Sequence, residues 1–279
     1  MQTRNIMSRI LIDKIESLPP LPNSIIELED FKKAQNASPE KLIEIIEQDP
    51  LMVTTILRIA NSTMFGFRSK VETLSRAINL LGMNFTISIA IGSIVQNTIK
   101  SNLCSYAVSN DDFINSCALG TKIVNTWISS IDYDLKEELL LPAFLQETGK
   151  FVISDMIQSR KLTEDFLKEL DETNDITHCE KKFTGYNCAR ITANIFKHWS
   201  LSYNLIFAIG FVEDVESCPE EYRKKAQILE IVKLLADMRN PLSDDNIHKA
   251  IAKADEYKFD VDHLINSVDA IKEEIEQNS

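Results

Sequence analysis

Glycine and proline are scarce in this chain, at 7 and 8 of 279 residues. Together they fall well short of the roughly 12% of an average protein. So little glycine leaves few tight turns and few positions with φ > 0, which argues against a strand-rich fold and for long helices on short connections. Histidine is scarcer still, with 4 residues (His178, His198, His248 and His263) and no H-x-x-x-H pair. Basic charge is also in deficit. Thirty Lys and Arg face 42 Asp and Glu, for a formal net charge of -12, so a phosphate backbone is repelled on average and nucleic-acid binding is not expected. The short runs Lys181-Lys182 and Arg223-Lys224-Lys225 have acids close by and read as solvated helix faces.

Long apolar runs are absent too. Met1 to Ile12 is interrupted by Arg4 and Arg9 and has no signal-peptide core. Phe85 to Val95, the longest weakly polar stretch, falls far below the ~18 residues of a membrane span. A cytoplasmic, reducing location is therefore expected. The five cysteines (Cys104, Cys117, Cys179, Cys188 and Cys218) have no C-x-x-C spacing and read as free thiols. No phosphate-cradling G-x-G-x-x-G or G-x-x-x-x-G-K-[ST] and no G-x-S-x-G elbow occurs. His178-Cys179 are neighbours in sequence but point about 100° apart on a helix. Asp244, Asp245 and His248, and likewise Asp262-His263, fall at helix starts, where acids suit the dipole.

What is present is helical periodicity. Ser38-Pro39-Glu40 and Asp49-Pro50 are two N-cap and N1 signals only a short helix apart, and Met52, Ile56 and Ala60 form a stripe behind the second. Asn61 to Arg68 breaks the period and reads as a loop, and a helix from about Thr73 ends at Gly82. Phe85 to Ile99 carries both an alternating pattern and a helical stripe, and its length favours helix. Asn102 to Asp111 is a polar connection, beyond which helices are expected at about 112–129, 136–158 (interrupted by Pro142 and Gly149), 162–171, 187–199, 202–213, 220–238, 244–254 and 261–276.

Three stretches carry a family signature: LPPLPNSI (Leu18–Ile25), IEQDPLMVTTILRIANSTMFGF (Ile46–Phe67) and VETLSRAINLLGMNFTISIA (Val71–Ala90). They resemble the HDOD domain, a bacterial module related to metal-dependent HD phosphohydrolases. The likeness is strong over about residues 15–100 and continues more weakly to about 213. It implies an all-α, multi-helix bundle of the HD-domain type with an N-terminal helical subdomain. A lead-in helix at 1–14 would precede the domain at 15–213, whose subdomains are about 15–101 and 111–213, and a helical extension would follow at 214–279.

In the related enzymes a His-Asp pair stands just before an Ile-Gly-Lys-like turn. This chain has Gln146-Glu147 before Thr148-Gly149-Lys150. By the same resemblance the upstream histidine corresponds to Asn115, a later one to Cys188, and a frequent His-His pair to Phe211-Val212-Glu213. Amides at Asn115 and Gln146 and a thiol at Cys188 replace imidazoles, which removes the donors that would hold a metal and generate hydroxide. The resemblance therefore implies a non-catalytic signalling protein with no metal and no cofactor, acting through a protein partner or a cyclic dinucleotide. The alternative is a residual metal-dependent phosphohydrolase. Asn61, Ser62, Phe65, Phe67 and Arg68 are candidate partner-binding residues, unless the two aromatics plug the core while Asn61 and Ser62 cap helix ends. Leu18 to Pro22 is either a rigid lead into the next helix or a docking edge.

Overall fold

A computed structural model of the chain describes residues 2–34 and 37–278. The described residues are α-helical with no strand, apart from two short 3-10 turns. α1 (Gln2–Glu16) and α2 (Asn23–Lys33) flank the Leu-Pro-Pro-Leu-Pro segment, whose Leu18 and Leu21 pack against the main core. The segment is tied to the end of the later helix Cys188–His198, because the Trp199 indole N–H donates to the Pro19 carbonyl at 3.0 Å.

Both proline corners form as the sequence predicts. Ser38 caps α3 (Pro39–Ile46) by accepting from the Lys41 N–H, and Asp49 caps α4 (Pro50–Ala60) by accepting from the Leu51 N–H at 2.8 Å. α5 (Leu74–Leu81) stops at Gly82, whose φ of +86° suits glycine, and α6 (Met83–Ile99) leaves at 117° to it. Nearly every side chain of α6 from Phe85 to Val95 is buried. That explains its double pattern, because a helix buried on all faces need not show a single stripe. Among the described residues no single helix is long and apolar enough to cross a membrane. The α5–α6 pair reaches that composition only across its bend.

The second half holds α7 (Asn110–Ile128), α8 (Tyr133–Leu145), α9 (Gly149–Ser159), α10 (Thr163–Thr173), α11 (Ile176–Thr184), α12 (Cys188–His198) and α13 (Tyr203–Gly210). The span expected as one interrupted helix, 136–158, is divided at Gln146–Thr148 into α8 and α9, while Pro142 sits inside α8 without ending it. α11 has a weak apolar pattern, since one of its buried positions is the charged Glu180. α14 (Glu220–Leu235), α15 (Asp244–Glu256) and α16 (Val261–Asn278) follow the region of family likeness. They are not set apart: Leu229, Val232, Ala250, Leu264 and Ile271 belong to the same hydrophobic core as α4, α6 and α8.

α6 and α8 meet at Gly92, where an added Cβ would collide with the Phe144 ring. Both residues are buried, so the ring has little room to yield. Gly92→Ala is expected to destabilise the fold by about 1–3 kcal/mol through overpacking, read as a lower urea midpoint with an unchanged slope.

Candidate functional site

The turn between α8 and α9 is fixed by its contact with α12. The Gly149 N–H donates to Thr192 Oγ1 at 2.8 Å, and the Thr192 hydroxyl donates to the Gln146 carbonyl at 3.1 Å. A Cβ on Gly149 would lie 2.6 Å from the Cys188 carbonyl oxygen, so only glycine permits this approach. The turn sends Glu147 and Lys150 inward together. Lys150 Nζ lies 2.8 Å from Glu147 and 3.0 Å from Glu180, and its side chain is 1% exposed.

Glu180, fully buried on α11, is the best-bonded acid of the group. It accepts from Lys150 and from the Tyr106 hydroxyl, both at 3.0 Å, through Oε1, and from the Cys188 backbone N–H at 2.7 Å through Oε2. That last donor stands at the N-terminus of α12, where the helix dipole favours a carboxylate. On the outer side, Lys233 of α14 bridges Glu147 at 3.1 Å and Glu213 at 2.6 Å. Lys181 stands 4.0 Å from Glu213. Three carboxylates thus meet three ammonium groups, and the network balances its own charge.

Titration follows from the packing. Burial pushes the Glu147 carboxyl up, but Lys150 and Lys233 outweigh it and bring the group to about 2. Burial works against both lysines, yet Glu147, with Glu180 for Lys150 and Glu213 for Lys233, holds them above the ordinary value. Glu180 is raised, first by burial and then by Glu213 and Glu147, against the pull of Lys150 and Lys233. Burial, reinforced by Glu147, raises the Cys188 thiol too, so it stays protonated.

Gln146, Glu147 and Cys188 are therefore brought together. Asn115 is not. It is exposed and lines a different cavity, with Ser62 and Leu119. Cys117, buried two residues further along α7, is the group on that helix whose titration feels Glu147 and Cys188. One turn-register step explains the displacement, since residues two apart point to opposite sides of a helix. Glu213 joins the network directly, as the sequence correspondence with a ligand pair allowed. Lys150 is visible in the sequence as the lysine of the Thr148-Gly149-Lys150 turn, but Glu180, Lys233 and Tyr106 carry no signal there.

The residues do not fit a divalent metal. Among the described residues no three His, Cys, Asp or Glu side chains converge on one point. The space between the carboxylates is taken by ammonium groups, the thiol carries its proton, and Gln146 offers a buried amide oxygen that has no partner. Outside the network lies a cavity of about 480 Å³, lined by Asp175, Lys181, Glu213, Lys233, Asp237 and Lys249 among others.

The loop candidates divide. Asn61 staples the loop, donating to Leu57 O at 2.7 Å and Val71 O at 2.8 Å and accepting from the Val71 N–H at 2.8 Å. Phe65 stacks on Phe67 at 5.9 Å and meets Phe85 edge-on at 5.6 Å, so both loop aromatics lean on the core. The Ser62 hydroxyl is buried without a partner, and Arg68 is exposed.

A sequence model described as the HDOD domain matches residues 18–215. The chain belongs to the HDOD family. An uncharacterised Treponema pallidum protein is 23% identical over 223 residues, covering 76% of this chain. The chain spans only about 41% of that relative's length. The HDOD fold also aligns with a virulence factor from Campylobacter jejuni at 26% identity, a TM-score of 0.57 and coverage of 94% of this chain and 95% of that one. A Shewanella amazonensis protein provisionally named a phosphohydrolase shares the fold at 22% identity, a TM-score of 0.67 and coverage of 97% and 98%.

Two outcomes test the network in this HDOD protein. Lys150→Met strands Glu147 and Glu180 without their shared cation and is expected to cost about 3–5 kcal/mol of unfolding free energy in urea titration. The acid limb of stability follows Glu147. Its carboxyl is held at about 2 in the fold against 4.5 ordinarily, so its contribution is complete above pH 4.5 and is lost as the pH falls towards 2. That is about 3 kcal/mol at ~1.4 kcal/mol per unit. Glu180, whose value is raised, has the opposite sign, contributing below 4.5 and losing that contribution as the pH rises. Glu147→Gln should therefore flatten the fall of stability between pH 4.5 and 2.

Proposed function

We propose that this HDOD protein is a non-catalytic regulatory module of bacterial signalling that acts by binding another protein. The observation that carries the reading is Lys150, a buried ammonium ion 2.8 Å from Glu147 and 3.0 Å from Glu180. A hydrolase of the HD type needs carboxylates and imidazoles free to hold a metal that activates water. Here the carboxylates are neutralised by covalently attached cations, and entry of a divalent ion would require expelling two buried ammonium groups. A binding role needs no such centre.

A cyclic dinucleotide is the weaker ligand class. The cavity beside the network is walled by Glu147, Asp175, Glu213, Glu230 and Asp237 against Lys150, Lys181, Lys233 and Lys249, a lining with an excess of negative charge that repels phosphates. Calorimetric titration with cyclic dinucleotides is expected to show no saturable heat.

Metal analysis of the purified protein, paired with a phosphodiester hydrolysis assay, decides between module and enzyme. We expect no stoichiometric Fe, Mn, Zn or Mg and no turnover above the blank. Stoichiometric metal together with turnover would establish the residual phosphohydrolase instead. Capture from native lysate on the immobilised protein then identifies the partner.

A further inference from the structure

The two ends of α16 are held very differently. Its first three turns bury Leu264, Val268 and Ile271 in the main core. From Lys272 to Asn278 no side chain is buried. These last two turns lie across the loop between α4 and α5. Asn278 fills the space that a Cβ on Gly66 would need, and the Glu274 carboxylate pairs with the ammonium of Lys122 on α7. Lys122, with its side chain 8% exposed, also donates to the Met64 carbonyl of the loop and stands 5.1 Å over the Phe65 ring.

Beneath these turns is a cavity of about 750 Å³ lined by Met64, Leu119, Met238, Leu242 and Ile275, with the buried, unpartnered Ser62 hydroxyl belonging to its wall. Ile271, Glu274, Ile275 and Asn278 fall at i, i+3, i+4 and i+7, one face of a helix. That face supplies a carboxylate to a nearly buried ammonium and an aliphatic side chain to a hollow whose wall is apolar at Met64, Leu119, Met238 and Leu242 and polar at Asp112, Asn115 and Arg239. A replacement binds best when it supplies both, since Lys122 otherwise faces only the Met64 carbonyl and the Phe65 ring.

We propose that the Asn61–Arg68 loop, α7 and the α14–α15 connection form a docking groove for an acidic amphipathic helix of a partner protein, occupied in cis by Lys272–Asn278. The proposal rests on the binding-module reading above and names its surface and the chemistry of its partner. A partner helix presents a carboxylate to Lys122 and an adjacent aliphatic residue to the cavity, and it displaces turns 272–278, which contact the rest of the chain through Glu274, Ile275 and Asn278. The anchored turns of α16 make the cis contact intramolecular, so a free helix competes poorly until that contact is broken.

The test uses the full chain and a fluorescein-labelled synthetic peptide with the sequence of residues 261–279, read by fluorescence anisotropy. Glu274→Lys places a cation against Lys122 and should release the cis turns. Hydrogen exchange is expected to speed up at 272–278 while the amides of Leu264–Ile271 stay protected, which also shows that the variant is folded. The peptide should bind Glu274→Lys at least tenfold more tightly than wild type, and adding Lys122→Met should abolish the gain. Unchanged exchange at 272–278 in both Glu274→Lys and Ile275→Asp overturns the displaceable occupant. Equal peptide affinity for wild type and a released variant, or affinity indifferent to Lys122→Met, overturns the groove. Neither result touches the non-catalytic reading, which fails separately if wild type shows stoichiometric metal and turnover.

Discussion

A lysine ammonium held between two glutamates inside a protein sets strict terms for everything around it. Lys150 is 1% exposed, so Glu147 and Glu180 must both be delivered to it, and each must itself be compensated. Glu147 is met by Lys233 on α14, and Glu180 by the Tyr106 hydroxyl and the first turn of α12. The α8–α9 turn, α11, α12, α14 and the turn carrying Tyr106 are consequently fixed relative to one another by charge as well as by apolar packing. Removing Lys150 leaves Glu180 without a cation in the interior, whereas half-exposed Lys181, 4.0 Å from Glu213, is the most dispensable member of the network.

The same arrangement ties these segments together through the chain's own charges. A divalent ion draws several ligands to one point. Two ammonium groups instead hold the carboxylates apart, each at its own hydrogen-bonding distance, and join four segments in a chain of pairs. Gly149 is required because the turn and α12 approach so closely that a Cβ would meet the Cys188 carbonyl oxygen. Gln146, beside Glu147 in the same turn, has its amide oxygen buried without a partner.

Much of the fold was legible because the sequence punctuates its helices clearly. Ser38-Pro39, Asp49-Pro50 and Gly82 each mark an end that local hydrogen bonding or a positive φ then enforces. The site was legible only in part. Gln146, Glu147, Cys188 and Glu213 share a neighbourhood because family likeness carried their positions, whereas Asn115 stands off, on a face of α7 away from the cluster. Lys150, Glu180 and Lys233 left no periodic trace. A buried charge on a helix looks, in sequence, the same as a solvated one until its partner from another segment is known. The role of Asn61 as a staple to Val71 was hidden for the same reason, since its partner lies across a loop.

α6 has a consequence for how the chain is made. It is buried on nearly all faces between α4 and α8, but it leaves the ribosome well before α8 exists. Through that interval one face can rest on α4 while the face around Gly92 and Val95 waits for a helix still being synthesised. Exposed apolar surface of this kind is where nascent chains associate wrongly. The steps most exposed to aggregation should be those between completion of α6 and docking of Phe144, and demand for chaperones should peak there.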